Sequence, residues 1–170
     1  MLITNRTFID CPTHQVWEAT TNIDSWPDWT PTVQTARRLD RLHFGIGSQA
    51  SIKQPMQSRA IWTVTEFEDG RYFAWETSGK AFRMAATHRV TYSGGGTKCT
   101  LTIKLIGPVA TIFAVFLAPM IWLALMQENR GLKRWCETAR RPGPATANHF
   151  LNPASAATKQ FSGSAKLNKG

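Results

Sequence analysis

Hydrophobic and polar residues alternate with a period of two through much of the chain, the pattern of β-strands with one buried face. A glycine turn at 94–96 joins two such segments, 82–93 and 97–106, which predict an antiparallel hairpin. The inward side of the first segment carries Phe82, Met84, Ala86, His88 and Val90. Glycine, proline and Asp-Gly breaks bound five further predicted strands, at 2–10, 33–41, 48–54, 60–68 and 71–78.

Two stretches between the first and second strands predict short helices. The first begins near Thr13 and carries Val16 and Trp17 on its apolar side. The second is limited to a single turn by Pro27 and Pro31, because proline interrupts helical hydrogen bonding and restricts the residue before it.

The last predicted element is one long helix. Gly107-Pro108 ends the final strand, and good helix formers continue over 109–139. The order is therefore strand, two short helices, six strands and one long helix, which predicts an α+β domain over 1–141. Residues 142–170 are rich in Ala, Ser, Asn, Pro and Gly and predict a disordered tail.

The 22 residues from 105 to 126 contain no charged residue, and this stretch has two interpretations. It is long enough to cross a bilayer, or it forms a helix buried across the concave face of the sheet. Gly107, Pro108 and Pro119 interrupt it, which favours burial. Membrane contact through 109–126 stays open as the alternative, as does a homodimer in which a second subunit covers the helix.

The charge and the spacing of cysteines, histidines and glycines restrict the classes of partner and cofactor that are expected. The chain has 20 Lys+Arg and 11 Asp+Glu, a formal charge of +9, but no run of four basic residues, so no nucleic acid partner is expected. Three widely spaced cysteines argue against a disulfide framework. The histidines lack metal-ligand spacing, and the glycines around 44–47 lack a nucleotide-binding pattern, so neither a metal nor a cofactor is expected.

The first ten residues bear on location. Asn5, Arg6 and Asp10 stand where a cleavable signal peptide needs an apolar run, so none is expected. The predicted location is the reducing cytoplasm, with association at a membrane as the alternative.

Several motifs in this order resemble the START-like, or SRPBCC, superfamily, and within it the polyketide cyclase/dehydrase branch. The resemblance covers residues 1–141. The motifs are Cys11-Pro12 with Val16-Trp17, the block 23–31, Lys53-Gln-Pro55 after Gly47, the block 62–70, Phe73-Ala-Trp75, His88-Arg-Val90, Gly95-Gly-Thr97, Gly107-Pro108, and Leu132-Lys133 with Glu137. The resemblance implies a helix-grip fold, in which a seven-stranded antiparallel sheet wraps around the C-terminal helix with a hydrophobic cavity between them.

Two sets of residues are the candidates for lining this cavity. Those on the strands are Trp62, Val64, Trp75, Met84, His88, Leu101 and Ile103. Those on the helix recur at spacings of three and four, and are Phe113, Phe116, Leu117 and Met120, with Leu123 continuing the stripe. Trp26 and Trp29 either guard the mouth of the cavity or fix their turn to the domain.

His88 is the single candidate for catalysis. It lies on an apolar strand face, either as a general acid or base or as a buried structural residue. Glu66, Glu76 and Asp24 are isolated carboxylates and form no acid/base pair.

Three functions follow as hypotheses. The first is binding of a hydrophobic small molecule such as a lipid, an isoprenoid or a polyketide-like compound. The second is a polyketide cyclase or dehydratase that uses the same cavity, so enzymatic activity stays open. The third is a membrane-associated accessory protein that contacts lipid through 109–126.

Overall fold

One antiparallel sheet of seven strands forms the body of the protein. The computed structural model describes residues 1–79, 83–107 and 114–140. The strands are β1 Leu2–Ile9, β2 Thr35–Arg38, β3 Gln49–Lys53, β4 Ala60–Glu68, β5 Tyr72–Ser78, β6 Arg83–Ser93 and β7 Gly96–Ile106. Their order is β1-β7-β6-β5-β4-β3-β2, so β2 to β7 form a meander and β1 closes onto β7.

All seven predicted strands are confirmed, with small changes at their ends. The largest change is in β2, which was predicted over 33–41 and pairs only along Thr35–Arg38. β2 is one of the two edge strands, so it has a single neighbour, and that neighbour, β3, is only five residues long. Phe82, predicted to open the sixth strand, lies outside the described residues.

The helices also follow the predicted order. Helix α1 spans Thr13–Thr21, a 3-10 turn covers Ile23–Ser25, and α2 is the single turn Trp26–Trp29. The long helix α3 runs over Ala114–Arg140. The predicted beginning of this helix at 109–113 and the predicted tail 142–170 lie outside the described residues. Within the described chain, no helix combines the length and the apolar content that crossing a membrane requires.

The C-terminal half of α3 packs onto the rest of the protein through one face. Leu125, Asn129, Leu132 and Cys136 are buried, and they recur at spacings of four, three and four. The Asn129 side-chain amide donates a hydrogen bond of 2.7 Å to the side-chain oxygen of Asn5 on β1. This face therefore holds the helix against β1 and the concave side of the sheet.

The prediction that the apolar stripe on the N-terminal half of α3 packs against the sheet is wrong. Phe116 is 79% exposed and Met120 is 56% exposed, and Leu123 is exposed as well. Ile121 instead packs against the core. The physical reason is that this half of the helix is apolar around its whole circumference, so spacings of three and four recur on every side and do not identify the buried one.

A close contact between α2 and α3 fixes the angle at which the long helix lies. A Cβ atom placed on Gly131 would lie 2.0 Å from the carbonyl oxygen of Trp29. Only glycine, with no side chain, allows the two backbones to approach this closely.

This contact gives a stability prediction. We expect Gly131→Ala to lower the free energy of unfolding by about 1 to 3 kcal/mol, because the added methyl group forces the two backbones apart. Helix propensity alone predicts the opposite, a gain of about 1 kcal/mol. Urea denaturation measures the difference. Gly45→Ala is the matched control, because no described atom beyond its chain neighbours lies within 4 Å of its added Cβ. A Gly131→Ala protein as stable as the wild type would contradict the packing of α2 on α3.

Candidate active site and ligand groove

Rows of inward-facing side chains cross the concave face of the sheet, because antiparallel pairing aligns one residue from each strand. One row is Val64, Trp75, Ala86, Ile103 and Ile3. The next row, deeper in the fold, is Phe67, Phe73, His88, Leu101 and Asn5. A third row lies on the other side of the first one, near the ends of the strands, and consists of Thr77, Met84 and Leu105.

His88 is buried in an aromatic environment. Its ring stacks on Phe73, with centroids 4.6 Å apart and planes 10° from parallel. The rings of Trp26 and Trp75 lie 5.2 Å and 5.8 Å away. The period of two in β6 placed this side chain on the inward face, and the structure shows it there.

The polar partner of His88 comes from the long helix. Glu128 of α3 places its Oε1 atom 3.8 Å from Nδ1 of His88, and its side chain is only 12% exposed. Sequence reasoning missed this residue. The signal was its position three residues after Leu125 and four before Leu132, which puts a carboxylate on the buried face of the helix.

Burial controls the protonation of this pair. Removal from water lowers the pKa of His88 to about 3 and raises the pKa of Glu128 to about 8, because each group loses hydration of its charged form. At neutral pH the imidazole is therefore uncharged and the carboxyl group keeps its proton. The two side chains together present both a hydrogen-bond donor and an acceptor without net charge.

An inner cavity of about 40 Å³ lies beside the pair. Its walls include Trp26, Trp62, Trp75, His88, Leu101, Ile103, Leu125 and Glu128. The indole nitrogen of Trp75 is buried and has no hydrogen-bond partner among the described residues. A space of this size accommodates one small polar group or a few water molecules, and no more.

A larger groove of about 700 Å³ opens between the N-terminal half of α3 and the strand ends. Its apolar walls include Ala60, Ile61, Met84, Leu105, Leu117, Met120 and Ile121. The groove and the inner cavity are neighbours, because Ile121 and Leu125 are one helical turn apart and Met84 and Ala86 are successive inward residues of β6. The groove volume is in the usual range for small-molecule sites.

The predicted cavity-lining residues therefore separate into groups. Trp62, Trp75, His88, Leu101 and Ile103 surround the inner cavity, whereas Met84, Leu117 and Met120 line the groove. Val64 is buried in the adjoining core. Phe116 faces outward, which corrects its predicted position inside the cavity, and Phe113 lies outside the described residues. Whether these residues bind a ligand stays a prediction.

The two tryptophans of the proline-bounded turn have different positions. Trp26 reaches the inner cavity and lies 5.3 Å, between ring centroids, from Trp75. Trp29 is buried outside the walls of the inner cavity, and its backbone lies against Gly131 of α3.

A wider depression of about 870 Å³ lies on another side of the molecule, between α1 and the last turns of α3. Its walls include the charged or polar residues Glu18, Asp24, Arg38 and His43. It lacks the inward rows of the sheet and the buried pair, so we assign the candidate site to the concave face.

Nucleophilic catalysis by cysteine is disfavoured near His88. Cys99 is buried on β7, where it pairs with Val90, and its pKa is raised by burial and by the nearby Glu128. A thiol with a raised pKa has little of the reactive thiolate form. In the part of the chain that the structure describes, no group of three or more His, Cys, Asp or Glu residues is arranged to hold a metal ion.

A seven-stranded antiparallel sheet that wraps around a long C-terminal helix, with a lined space between them, defines the helix-grip class of START-like proteins. A family model described as polyketide cyclase / dehydrase and lipid transport matches residues 2–137. The chain belongs to this family.

Several solved structures share the fold at low sequence identity. TTHA0849 from Thermus thermophilus has a TM-score of 0.68 at 15% identity, over 83% of this chain and 100% of that one. A START superfamily protein from Mycobacterium smegmatis has a TM-score of 0.64 at 14% identity, over 79% and 97%. The di-domain ARO/CYC StfQ of the steffimycin biosynthetic pathway has a TM-score of 0.65 at 13% identity, over 81% and 51%. No curated protein sequence matches the chain.

The buried pair gives a prediction for the pH dependence of stability. In the folded state Glu128 keeps its proton up to about pH 8, against an ordinary pKa of 4.5, so its contribution falls as pH rises between these values. The lowered pKa of His88 has the opposite effect, because it makes the unfolding free energy rise with pH. This rise ends near the ordinary pKa of 6.5, and above that pH the contribution of His88 is constant. Between pH 6.5 and 8 we therefore expect the unfolding free energy to fall by about 2 kcal/mol through Glu128.

Urea denaturation at the two pH values tests this. Glu128→Gln should abolish the fall, since the amide does not titrate. Glu18→Gln, which removes an exposed carboxylate from α1, should retain it. A Glu128→Gln protein that loses as much stability as the wild type over this interval would show that Glu128 is not the group responsible.

Proposed function

We propose that the protein binds a mostly apolar small molecule, of the lipid, isoprenoid or polyketide-like class, that carries one uncharged polar group. The observation that carries the proposal is an apolar groove of about 700 Å³ next to the inner cavity that the buried His88–Glu128 pair lines. The apolar body of the ligand occupies the groove, and its polar group lies at the inner cavity.

The two volumes support this division. The inner cavity, about 40 Å³, is too small for more than a hydroxyl, a carbonyl or a similar group. The body of any larger ligand therefore lies in the groove, against Met84, Leu105 and Leu117. Burial of apolar surface there contributes roughly 25 cal/mol per Å².

The chemistry of the inner cavity determines which polar group is accepted. The buried Trp75 indole N–H is a donor without a partner among the described residues, and the His88–Glu128 pair offers a donor and an acceptor. Among the described residues, no Lys or Arg lies in these walls, so a carboxylate or phosphate would lose its hydration without compensation. The site therefore favours a neutral hydroxyl or carbonyl.

The relatives agree with this ligand class. The family description names both polyketide chemistry and lipid transport, and StfQ is a di-domain ARO/CYC protein from the steffimycin biosynthetic pathway. Polyketides and lipids are both largely apolar compounds with a few hydroxyl or carbonyl groups.

Displacement of the neutral fluorophore N-phenyl-1-naphthylamine tests the proposal. We expect 1-dodecanol to displace the fluorophore with an apparent Kd about tenfold lower than that of dodecanoate, because only the carboxylate must bury a charge. Equal displacement by the two compounds would contradict the proposed neutral polar site.

A matched pair of variants locates the binding. Ala60→Phe adds a ring to the groove wall and should weaken fluorophore binding about tenfold or more. Ala139→Phe adds the same ring to an exposed position near the end of α3 and should leave binding unchanged. Equal affinities for both variants would place the ligand elsewhere. Native mass spectrometry of purified protein, followed by denaturing extraction, then identifies the natural ligand by mass.

A second candidate function is a cyclase or dehydratase activity, favoured by the separation of 3.8 Å between His88 Nδ1 and Glu128 Oε1. At neutral pH Glu128 carries the proton that a general acid donates, and the uncharged His88 ring has the nitrogen lone pair that a general base uses. In a dehydration, His88 would remove the proton beside a substrate carbonyl, and Glu128 would protonate the departing hydroxyl. A C–H and a C–O bond break, a C=C bond forms, and water leaves.

Turnover separates the two candidates. If the protein is a dehydratase, the wild type converts a β-hydroxy polyketide thioester with loss of one water, and His88→Ala and Glu128→Gln lose this turnover by about a hundredfold or more while still binding the fluorophore. Unchanged turnover in both variants would exclude their catalytic roles. No turnover by the wild type, with binding intact, would leave ligand binding as the function.

A further inference from the structure

The mouth of the groove exposes large apolar side chains to solvent. Ile61 and Met120 line the groove and are exposed, and Phe116 lies one helical turn before Met120. Met56 is fully exposed directly before Gln57 of the groove wall, and it has a φ of 59°. We refer to these four residues as the groove rim. Large apolar side chains grouped in this way on a surface mark an interaction site.

Positive charge surrounds the rim. Lys53 donates a hydrogen bond to the backbone oxygen of Gln57, and Arg59 is part of the groove wall. Arg83 begins β6 directly opposite Ser78 of the wall. Glu76 is the acid beside them, 3.7 Å from Arg83. Over 53–61, 76–79, 83–85 and 116–121 the described residues carry three cations and one carboxylate, a net charge of +2.

We infer that the groove rim docks on the surface of an anionic lipid bilayer. Exposed apolar side chains enter the boundary between headgroups and acyl chains, while neighbouring Lys and Arg side chains attract the lipid phosphates. A second copy of this chain suits the face poorly, because Lys53, Arg59 and Arg83 of one copy would meet the same cations of the other.

The position of the groove gives this docking a consequence. Because the exposed rim residues Ile61 and Met120 also line the groove, a protein docked through the rim has the groove beside the bilayer. An apolar molecule then passes between membrane and groove without crossing bulk water. Docking itself does not depend on the proposed ligand, so each is tested separately.

Vesicle flotation tests the docking, with phosphatidylcholine alone and with an equal mixture of phosphatidylcholine and phosphatidylglycerol. We expect the wild type to bind the mixed vesicles at least about tenfold more tightly than the vesicles of phosphatidylcholine alone. Added salt should weaken this binding. Phe116→Asp should reduce the affinity about tenfold or more, and Arg59→Gln about fivefold.

Matched controls lie at the opposite end of the sheet, on the β6–β7 hairpin. Tyr92→Asp changes an exposed aromatic residue there, and Lys98→Gln removes an exposed cation. Both should bind vesicles like the wild type. Urea denaturation of Phe116→Asp checks its folding independently of any ligand, and we expect a wild-type unfolding curve because Phe116 is largely exposed.

Three outcomes would overturn the inference. One is a wild type that does not float with the mixed vesicles. Another is an equal loss of binding in the rim variants and the hairpin controls, which would show only a nonspecific effect of charge. The third is self-association of the wild type in sedimentation that Phe116→Asp abolishes without any vesicle binding, which would assign the rim to a second copy.

Discussion

The C-terminal half of α3 is fixed to β1, and the site depends on that attachment. Asn129 bonds to Asn5, the Lys133 ammonium donates to the backbone oxygen of Phe8 at 2.8 Å, and Glu137 accepts the backbone N–H of Asp10 at 2.8 Å. These contacts, with Leu132 and Cys136 buried behind them, lie along successive turns of one helix face. The helix is held firmly at one end, whereas its other half leaves the groove open between itself and the strand ends.

This attachment also determines the chemistry inside the fold. With the helix so placed, Glu128 faces His88 in an interior of tryptophan, phenylalanine and leucine side chains. Burying two ionisable groups costs several kcal/mol per charge unless the groups become neutral or pair with each other. The pair becomes net neutral at physiological pH, which lowers this cost and leaves polar atoms at the inner end of an otherwise apolar site. The same arrangement serves recognition of a neutral ligand or proton transfer.

Much of the fold was predictable because its determinants are local. Alternation with a period of two and glycine-containing turns specify each strand, and the same alternation placed His88 and Leu101 on the concave face. The pairing of His88 with Glu128 was not predicted, since it depends on where a distant helix lies across the sheet. The predicted orientation of Phe116 was wrong for a related reason: a helix segment that is apolar on all sides does not specify which side is buried. The small size of the inner cavity depends on how Trp26, Trp62 and Trp75 pack together, which residue type alone does not determine.

A double-mutant cycle between His88 and Glu128 tests most directly whether the helix brings these groups together. His88→Phe retains a ring against Phe73, and Glu128→Leu replaces the carboxyl group with an apolar side chain. Each single change leaves the partner group buried without the side chain that faces it, whereas the double change removes both groups. The unfolding free energies of the four proteins give the coupling between the two positions. We expect the stability lost in the double variant to be smaller than the sum of the two single losses, by at least about 1 kcal/mol. Additivity within about 0.3 kcal/mol would contradict the close approach of Glu128 to His88 in the core.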